Sequence, residues 1–270
     1  MSMRISGTVC LVPSLTRGPW IYWHDLASAA RHAGELGMDG LELFTPGPDA
    51  PPAEQVRSLL KDHGLACAAV GTGAGKVLHG LSFTDEHASR RQEAVDFARR
   101  MIDYGAALEC NAIIGSMQGF AGGERPKAED RLAEALQELG AHARQADQVL
   151  IYEPLNRYES DLFNRQADAA AFLRVRELEG VVLLADLFHM NLEESDLAEA
   201  LRASGDLLGH VHLADSNRGP AGAGHTDFTA IGATLREIGY GGWLSAEAFP
   251  DPTPEQAARM TLAVGRQIQG

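Results

Sequence analysis

The chain has 270 residues, 45% hydrophobic and 22% charged, with a formal net charge of −14 at pH 7. That length suits one α/β barrel of about 250 residues, and the hydrophobic share is that of a chain with a full core. The acidic residues are spread along the sequence, which disfavours nucleic acid or an anionic membrane as main partner, since both require clustered Lys and Arg. Cys10, Cys67 and Cys110 lie far apart in apolar company with no CxxC or Cys/His spacing, and read as reduced core thiols. With no charged-then-apolar leader and no apolar run near the roughly 20 residues of a membrane span, the expected location is the cytoplasm.

Short apolar runs alternate with longer amphipathic segments from end to end. The runs predict strands over 7–12, 40–44, 66–70, 111–116, 149–154, 181–186, 209–214 and 242–248. Between them, segments such as DLASAARHAGELG, PPAEQVRSLLKDHG, RRQEAVDFARRMIDYG and EDRLAEALQELGAHARQ carry apolar residues at three- and four-residue intervals, and several end in Gly. Parallel strands need helical crossovers, so eight such units predict a single-domain (β/α)8 TIM barrel spanning 1–270. The rival is an open doubly wound sheet. Its best local signal, VGTGAGK, places Gly71, Gly73 and Gly75 off the GxGxxG spacing, so a tight loop at the barrel mouth is the better account.

Chemistry in such a barrel belongs where the strands end. The last four predicted strands end at or near Glu153, Asp186, His212 and Glu247, spaced 33, 26 and 35 residues apart, each gap close to one βα unit. Three carboxylates and an imidazole on one rim form a hard, oxygen-rich set suited to Mn²⁺, Mg²⁺ or Co²⁺, with Zn²⁺ an alternative. A lone acid at a strand end is more often a helix N-cap or a loop ion pair; four on consecutive strands are hard to obtain by accident. His210 shares a strand face with His212 and reads as a hydrogen-bonded interior histidine. His189, one short turn past Asp186, would overhang the same site, and Arg218 could reach over the mouth. Arg157 reads as a loop ion pair, His225 and Asp227 as turn residues or site neighbours. His24, His32, His63, His79, His87 and His142 are expected to face solvent.

The motifs EPLNRYE, LADLFHMNLEE, HVHLADSNR followed by GAGHTDF, and GWLSAEAF resemble the ketose 3-epimerases of the sugar isomerase/epimerase superfamily, with its xylose isomerase-like TIM barrel. The likeness covers nearly the whole chain in order and spacing. It implies one divalent ion, Mn²⁺ before the others, held by Glu153, Asp186, His212 and Glu247. Glu153 and Glu247 would double as the acid/base pair, and Glu159, His189 and Arg218 would hold the substrate. A homodimer or homotetramer is also implied. Within the superfamily, AVGTGAGKVLHGLSFT and HLADSNR are most similar to the 5-keto-L-gluconate epimerases, and HLAD also resembles hydroxypyruvate isomerase. Relatives tend to carry Pro-Gly in the strand-7 loop, where this chain has Pro220-Ala221-Gly222.

The expected reaction inverts the carbon next to a ketone in a keto sugar or keto sugar acid. The ion would stabilise a cis-enediolate while one glutamate removes the proton and the other returns it to the opposite face. The alternative is an aldose–ketose isomerase of hydroxypyruvate isomerase type. Trp20 and Phe249 would exclude water. A keto sugar acid would require Arg17, Lys76 or Arg125 to reach the pocket as a second cation. A three-zinc abasic-site endonuclease is disfavoured, because the strands ending LELF and AAVG offer no ligand at their tips and the net charge opposes DNA. A non-catalytic sugar-binding barrel has no need of a complete metal quartet.

Overall fold

The computed structural model describes residues 2–49 and 51–270. Eight parallel strands follow one another in order: β1 (Arg4–Cys10), β2 (Gly40–Phe44), β3 (Ala66–Gly71), β4 (Asn111–Ile114), β5 (Leu150–Tyr152), β6 (Val181–Asp186), β7 (Leu208–His212) and β8 (Trp243–Ala246). The sheet closes because β8 returns to β1, with Arg4 opposite Trp243 and Gly7 opposite Ala246. The result is a TIM barrel with its helices outside. The strands are short apolar runs such as Val181–Asp186, buried along nearly their whole length as parallel strands covered by helices must be.

The helices bury one face each. Leu26–Leu36 begins on Asp25, whose side chain accepts from the Ser28 N–H, and ends on Gly37 at φ +81°, where a left-handed residue closes the turn. The predicted strand positions are all occupied, with edges shifted by a few residues. Five of the eight strands end two residues earlier than predicted, although the residues beyond can still be held to the ladder, as where the Leu213 N–H meets the Ser245 carbonyl at 2.7 Å. Glu153 lies just past β5, yet its N–H still bonds the Ile114 carbonyl at 2.9 Å, so the ladder holds its backbone.

Two elements went unforeseen: the helix Ala74–His79, which takes up the end of the VGTGAGK loop, and a strand in the loop after β1. Tyr22–Trp23 forms a two-residue strand pairing with Val9 and Cys10 of β1. Since β8 takes the lower part of the same edge, the strand-1 loop wedges in above β8 at the mouth. It brings Trp20 against Phe44, ring centroids 4.6 Å apart.

The barrel interior is divided. Ala69, Ile113, Ile151 and Leu184, on β3 to β6, form an apolar inner cluster. Ser6, Thr8, Glu42, His210, His212 and Ser245, on β1, β2, β7 and β8, are buried polar residues. At the N-terminal end, the Arg4 guanidinium lies 3.9 Å over the Trp243 ring.

The three cysteines are free and buried, as the sequence indicated; Cys110 and Cys67 have their sulfurs 3.2 Å apart. His32 departs from its predicted exposure. Its Nδ1 meets the Tyr22 hydroxyl at 2.9 Å, because helix and strand-1 loop pack together there.

Candidate metal centre

Asp186 ends β6 and starts the helix Leu187–Glu193. Its Oδ1 accepts from the backbone N–H groups of Phe188 (2.8 Å) and His189 (3.1 Å), as an N-cap does. That leaves Oδ2 without a partner, so the capping role occupies one oxygen and the other is available to a cation. His212 lies opposite Asp186 in the β6–β7 register. Its Nδ1 is 3.4 Å from Asp186 Oδ2, 3.5 Å from Glu247 Oε2 and 3.8 Å from Glu153 Oε1. Glu153 is buried beside Gly115, where a Cβ would come within 2.5 Å of Glu153 Oε2, so only glycine leaves the carboxylate its place. Beneath it, the Gln118 amide donates to the Glu153 carbonyl at 3.0 Å and accepts from the Tyr152 hydroxyl at 2.8 Å, fixing the backbone.

Glu153, Asp186, His212 and Glu247 thus bring one donor atom each within 4.8 Å of one another. Glu153 Oε1, Asp186 Oδ2 and His212 Nδ1 are buried there without a hydrogen-bond partner. Unpaired buried acceptors facing each other repel, and their loss of hydration is uncompensated. A divalent cation between them removes both costs, and the set fits one. Electrostatics agree. Burial, with the charge of Glu247 adding to it, pushes the Glu153 carboxyl well above the usual carboxylate range. Burial also opposes the charge of Asp186, but His189, His212 and Arg218 outweigh it and hold that carboxyl below the range. For His212, burial disfavours the charged form, yet Glu42 and Glu247 raise its affinity for a proton.

Around this quartet stand the residues expected to meet a substrate. His189 is buried, and its Nε2 lies 3.6 Å from Glu153 Oε1 and 3.9 Å from Asp186 Oδ2. Its Nδ1 contacts the Asn156 amide nitrogen at 2.6 Å, and that nitrogen also donates to Glu159 Oε1 at 3.0 Å. Asn156 Oδ1 accepts the Tyr158 N–H at 3.0 Å, which settles the amide orientation. His189 therefore accepts at Nδ1 and carries its proton on Nε2, aimed at the acids; it is a donor, not a ligand. Arg218, in the left-handed region at φ +58°, crosses the mouth. It donates to Glu247 Oε2 at 2.9 Å, approaches Glu159 Oε1 at 3.5 Å, and stacks on Phe188 at 4.7 Å.

The loop that carries Arg218 is organised by Asp215, whose carboxylate accepts from the N–H groups of Ser216, Gly222 and Thr226 at 2.7, 2.8 and 3.1 Å. Pro220-Ala221-Gly222 is accommodated with Gly222 at φ +94°. Asp227 is an N-cap, accepting from Thr229 and Ala230, and His225 is exposed, so neither joins the site. Arg157 is held in an ion pair, as expected, but with Glu193 and not with its neighbour Glu159, which meets Asn156 and Arg218.

A cavity of about 220 Å³ opens over the quartet. Its far wall is apolar: Pro19, Trp20, Phe44, Val77, Ile113 and Leu155. Trp20 is in place, whereas Phe249 is turned toward Arg17, 5.9 Å from its ring, and does not line the cavity. Arg17 and Lys76 do not line it either, and Arg125 is engaged with Glu129 and the carbonyls of Asp161 and Leu162. Arg218 is the cation of the lining among the described residues.

Reading strand tips alone missed Glu42, in the middle of β2. Its Oε2 lies 2.9 Å from His210 Nε2 and its Oε1 3.1 Å from His212 Nε2. Burial opposes its charge, but His212 and His210 hold its carboxyl below the usual range. The signal was a glutamate inside the apolar run GLELF. Asn156 and Asp215 gave no comparable signal, since both types are common in loops.

A closed parallel barrel with an acid-rich, cation-fitting centre at the C-terminal mouth defines an enzyme of the TIM-barrel class. Residues 30–268 match the family described as Xylose isomerase-like TIM barrel, and the chain belongs to that family. It is 30% identical over 243 residues to a D-psicose 3-epimerase of Agrobacterium fabrum, covering 84% of this chain and 82% of that one. It is 39% identical over 133 residues to a 3-dehydro-D-guloside 4-epimerase of Escherichia coli, an alignment spanning 49% of this chain and only 51% of that protein. The crystal structure of 3-keto-D-glucoside 4-epimerase from E. coli superposes with a TM-score of 0.79 at 26% identity, covering 98% and 99% of the two chains. These relatives make the chain an enzyme of the isomerase and epimerase class. No helix among the described residues is long and apolar enough to cross a membrane.

Proposed function

We propose that the protein is a divalent-metal-dependent epimerase of a neutral keto sugar, inverting the carbon next to the ketone. The observation that carries this is the pair of glutamates following β5 and β8, on separate sides of the rim, each with an oxygen within 3.8 Å of His212 Nδ1. Epimerisation needs a base on one face of the substrate and an acid on the other. Glu153 and Glu247 supply that arrangement; one takes the proton from the carbon and the other delivers one to the opposite face.

Glu153, Asp186, His212 and Glu247 would hold the ion, Mn²⁺ being favoured by the oxygen-rich set. When bound, the ion supplies positive charge where negative charge develops on the substrate oxygens. The chain's own groups do the rest. His189 offers its Nε2–H to a substrate oxygen, and Asn156 keeps that proton in place. Arg218 and Glu159 close over the mouth and orient the hydroxyls. Trp20, Phe44 and Leu155 exclude water from the reacting carbon.

The absence of Arg17, Lys76 and Arg125 from the lining argues for a neutral sugar over a sugar acid, since Arg218 is already paired with Glu247. The names of the relatives fit the same chemistry. A 3-epimerase of a 2-ketose and a 4-epimerase of a 3-keto sugar both invert a carbon adjacent to a ketone. A second reading, aldose–ketose isomerisation, has its own support. The chain is 30% identical, over 86% of its length, to a protein of Streptomyces coelicolor provisionally named a hydroxypyruvate isomerase.

The test is turnover of 2-ketoses, 3-keto glucosides and hydroxypyruvate with Mn²⁺ in D₂O. Inversion with deuterium at the inverted carbon supports the epimerase. Turnover of hydroxypyruvate alone, or label confined to the carbons of an aldose–ketose exchange, favours the isomerase.

A further inference from the structure

Beneath the metal quartet, two imidazoles converge on one carboxylate. Glu42 Oε2 lies 2.9 Å from His210 Nε2, and Glu42 Oε1 lies 3.1 Å from His212 Nε2. An ionised carboxylate only accepts, so both imidazoles carry their protons on Nε2. We propose that Glu42 is a positioning residue of the metal centre: it fixes the His212 tautomer, so that a bare Nδ1 faces the ion, and His210 holds Glu42 in that orientation. This inference rests on the metal reading of the quartet.

The backbone is built around this contact. The β2–β3 register slips by one residue opposite Glu42, between Leu41/Cys67 and Leu43/Val70. The β6–β7 register slips at Gly209, immediately before His210. Bulges re-aim side chains, and these two flank the triad. At Gly209 no other residue fits, since a Cβ would come within 2.3 Å of Val182. Thr8, opposite Glu42 on β1, does not compete for the carboxylate. Its hydroxyl donates to the Ala246 carbonyl at 2.6 Å and accepts the Ile21 N–H at 3.2 Å.

The consequence is chemical. With one proton held at Nε2, His212 can give up only a proton at Nδ1 when an ion enters, and its lone pair then opens toward Asp186 Oδ2, Glu247 Oε2 and Glu153 Oε1, at 3.4, 3.5 and 3.8 Å. The negative charge behind the ring also makes Nδ1 a stronger donor, and outer partners of this kind are typically worth about 10- to 100-fold in metal affinity. Glutamine at position 42 would keep the volume but offer one acceptor oxygen where two N–H groups require acceptance. One imidazole must then move its proton to Nδ1. If His210 does so, as its partnerless Nδ1 allows, the amide oxygen still accepts from His212 but the negative charge behind the ring is lost. His212 cannot do so and still ligate.

The experiment measures Mn²⁺ affinity by competition with a fluorescent chelator, for the unaltered protein and for Glu42→Gln, with thermal unfolding of both metal-free forms as the folding control. Long-range ¹H–¹⁵N spectra of the unaltered, Zn²⁺-loaded protein read the tautomer directly, with no substitution that could unfold the chain. The expected result is about 10- to 100-fold weaker Mn²⁺ binding by Glu42→Gln, with His212 protonated at Nε2 and metal-shifted at Nδ1. Affinity within twofold of the unaltered protein overturns the proposal, as does a spectrum placing the proton on Nδ1. If the unaltered chain takes up no ion, the metal reading falls together with this one. If it does, and Glu42→Gln matches it, only the role of Glu42 falls.

Discussion

The two sides of the barrel interior differ in what they bury. On β3 to β6 the inner cluster is Ala69, Ile113, Ile151 and Leu184, and charge appears only at the rim, as Glu153 and Asp186. On β1, β2, β7 and β8 polarity continues downward through His212, Glu42 and His210 to Ser6 and Ser245. A carboxylate buried alone in the first side would lose its hydration for nothing; Glu42 in the second side accepts from two imidazoles. One side supplies packing and two rim carboxylates, Glu153 and Asp186, facing His212 and Glu247 of the other. The other supplies packing and a polar column that reaches the His212 imidazole from below.

That difference can be broken most sharply at the rim, where both sides meet. The unaltered protein is expected to carry about one divalent ion per chain. Asp186→Ala or His212→Ala should abolish retention of the ion after dialysis, measured by elemental analysis, together with all turnover. Full occupancy in either variant would refute the quartet.

Next in size is the proton transfer. Glu153→Gln and Glu247→Gln keep shape but remove the base, and each should lower kcat by at least ~10²-fold. Loss in one alone would point to a one-base reaction and hence to the isomerase.

The apolar side should answer in stability instead of chemistry. Ile151→Ala opens a cavity in a fully buried layer and should cost about 2–5 kcal/mol in denaturant unfolding. Ion affinity of the folded fraction should stay unchanged. A parallel loss of metal affinity would show that the two sides are not separable.

The smallest effect lies in the loop over the mouth. Burial opposes the charge of Asp215, but backbone N–H groups of Gly224, Ser216 and Thr226 hold its carboxyl below the ordinary range. A lowered native pKa contributes stability above the unfolded value and loses it as pH falls through the native one. Asp215→Asn should therefore lower Tm by a few °C at pH 7, the size of ~1 kcal/mol in a chain this long. The gap should shrink under acid conditions. Because Arg218 rides on this loop, KM should rise several-fold with kcat less affected; an unchanged KM would mean Arg218 is placed by its own contacts.

The sequence by itself determined the barrel and its rim. Eight apolar runs separated by amphipathic helices have one economical closed arrangement, and acids at strand ends are visible because strand length and helical period are local properties. Asp186 and His212 needed no more than their spacing to be placed on one rim, and the β6–β7 register sets them opposite each other. What lies across the barrel was decided by tertiary structure alone. Glu42 and His210 are 168 residues apart, and no local pattern reports that two strands on different parts of the chain aim their side chains at one point. The same holds for the cavity wall. Arg17, Lys76 and Arg125 sit at loop positions that could each have reached the mouth, and whether a long side chain turns inward depends on the partners it finds: Arg125 found Glu129 and two carbonyls outside. Strand positions follow from sequence because the pattern that marks them is local, though their edges shift by a few residues. Side-chain direction in loops and pairing across the axis follow only from closure, which brings together residues that the chain itself keeps far apart.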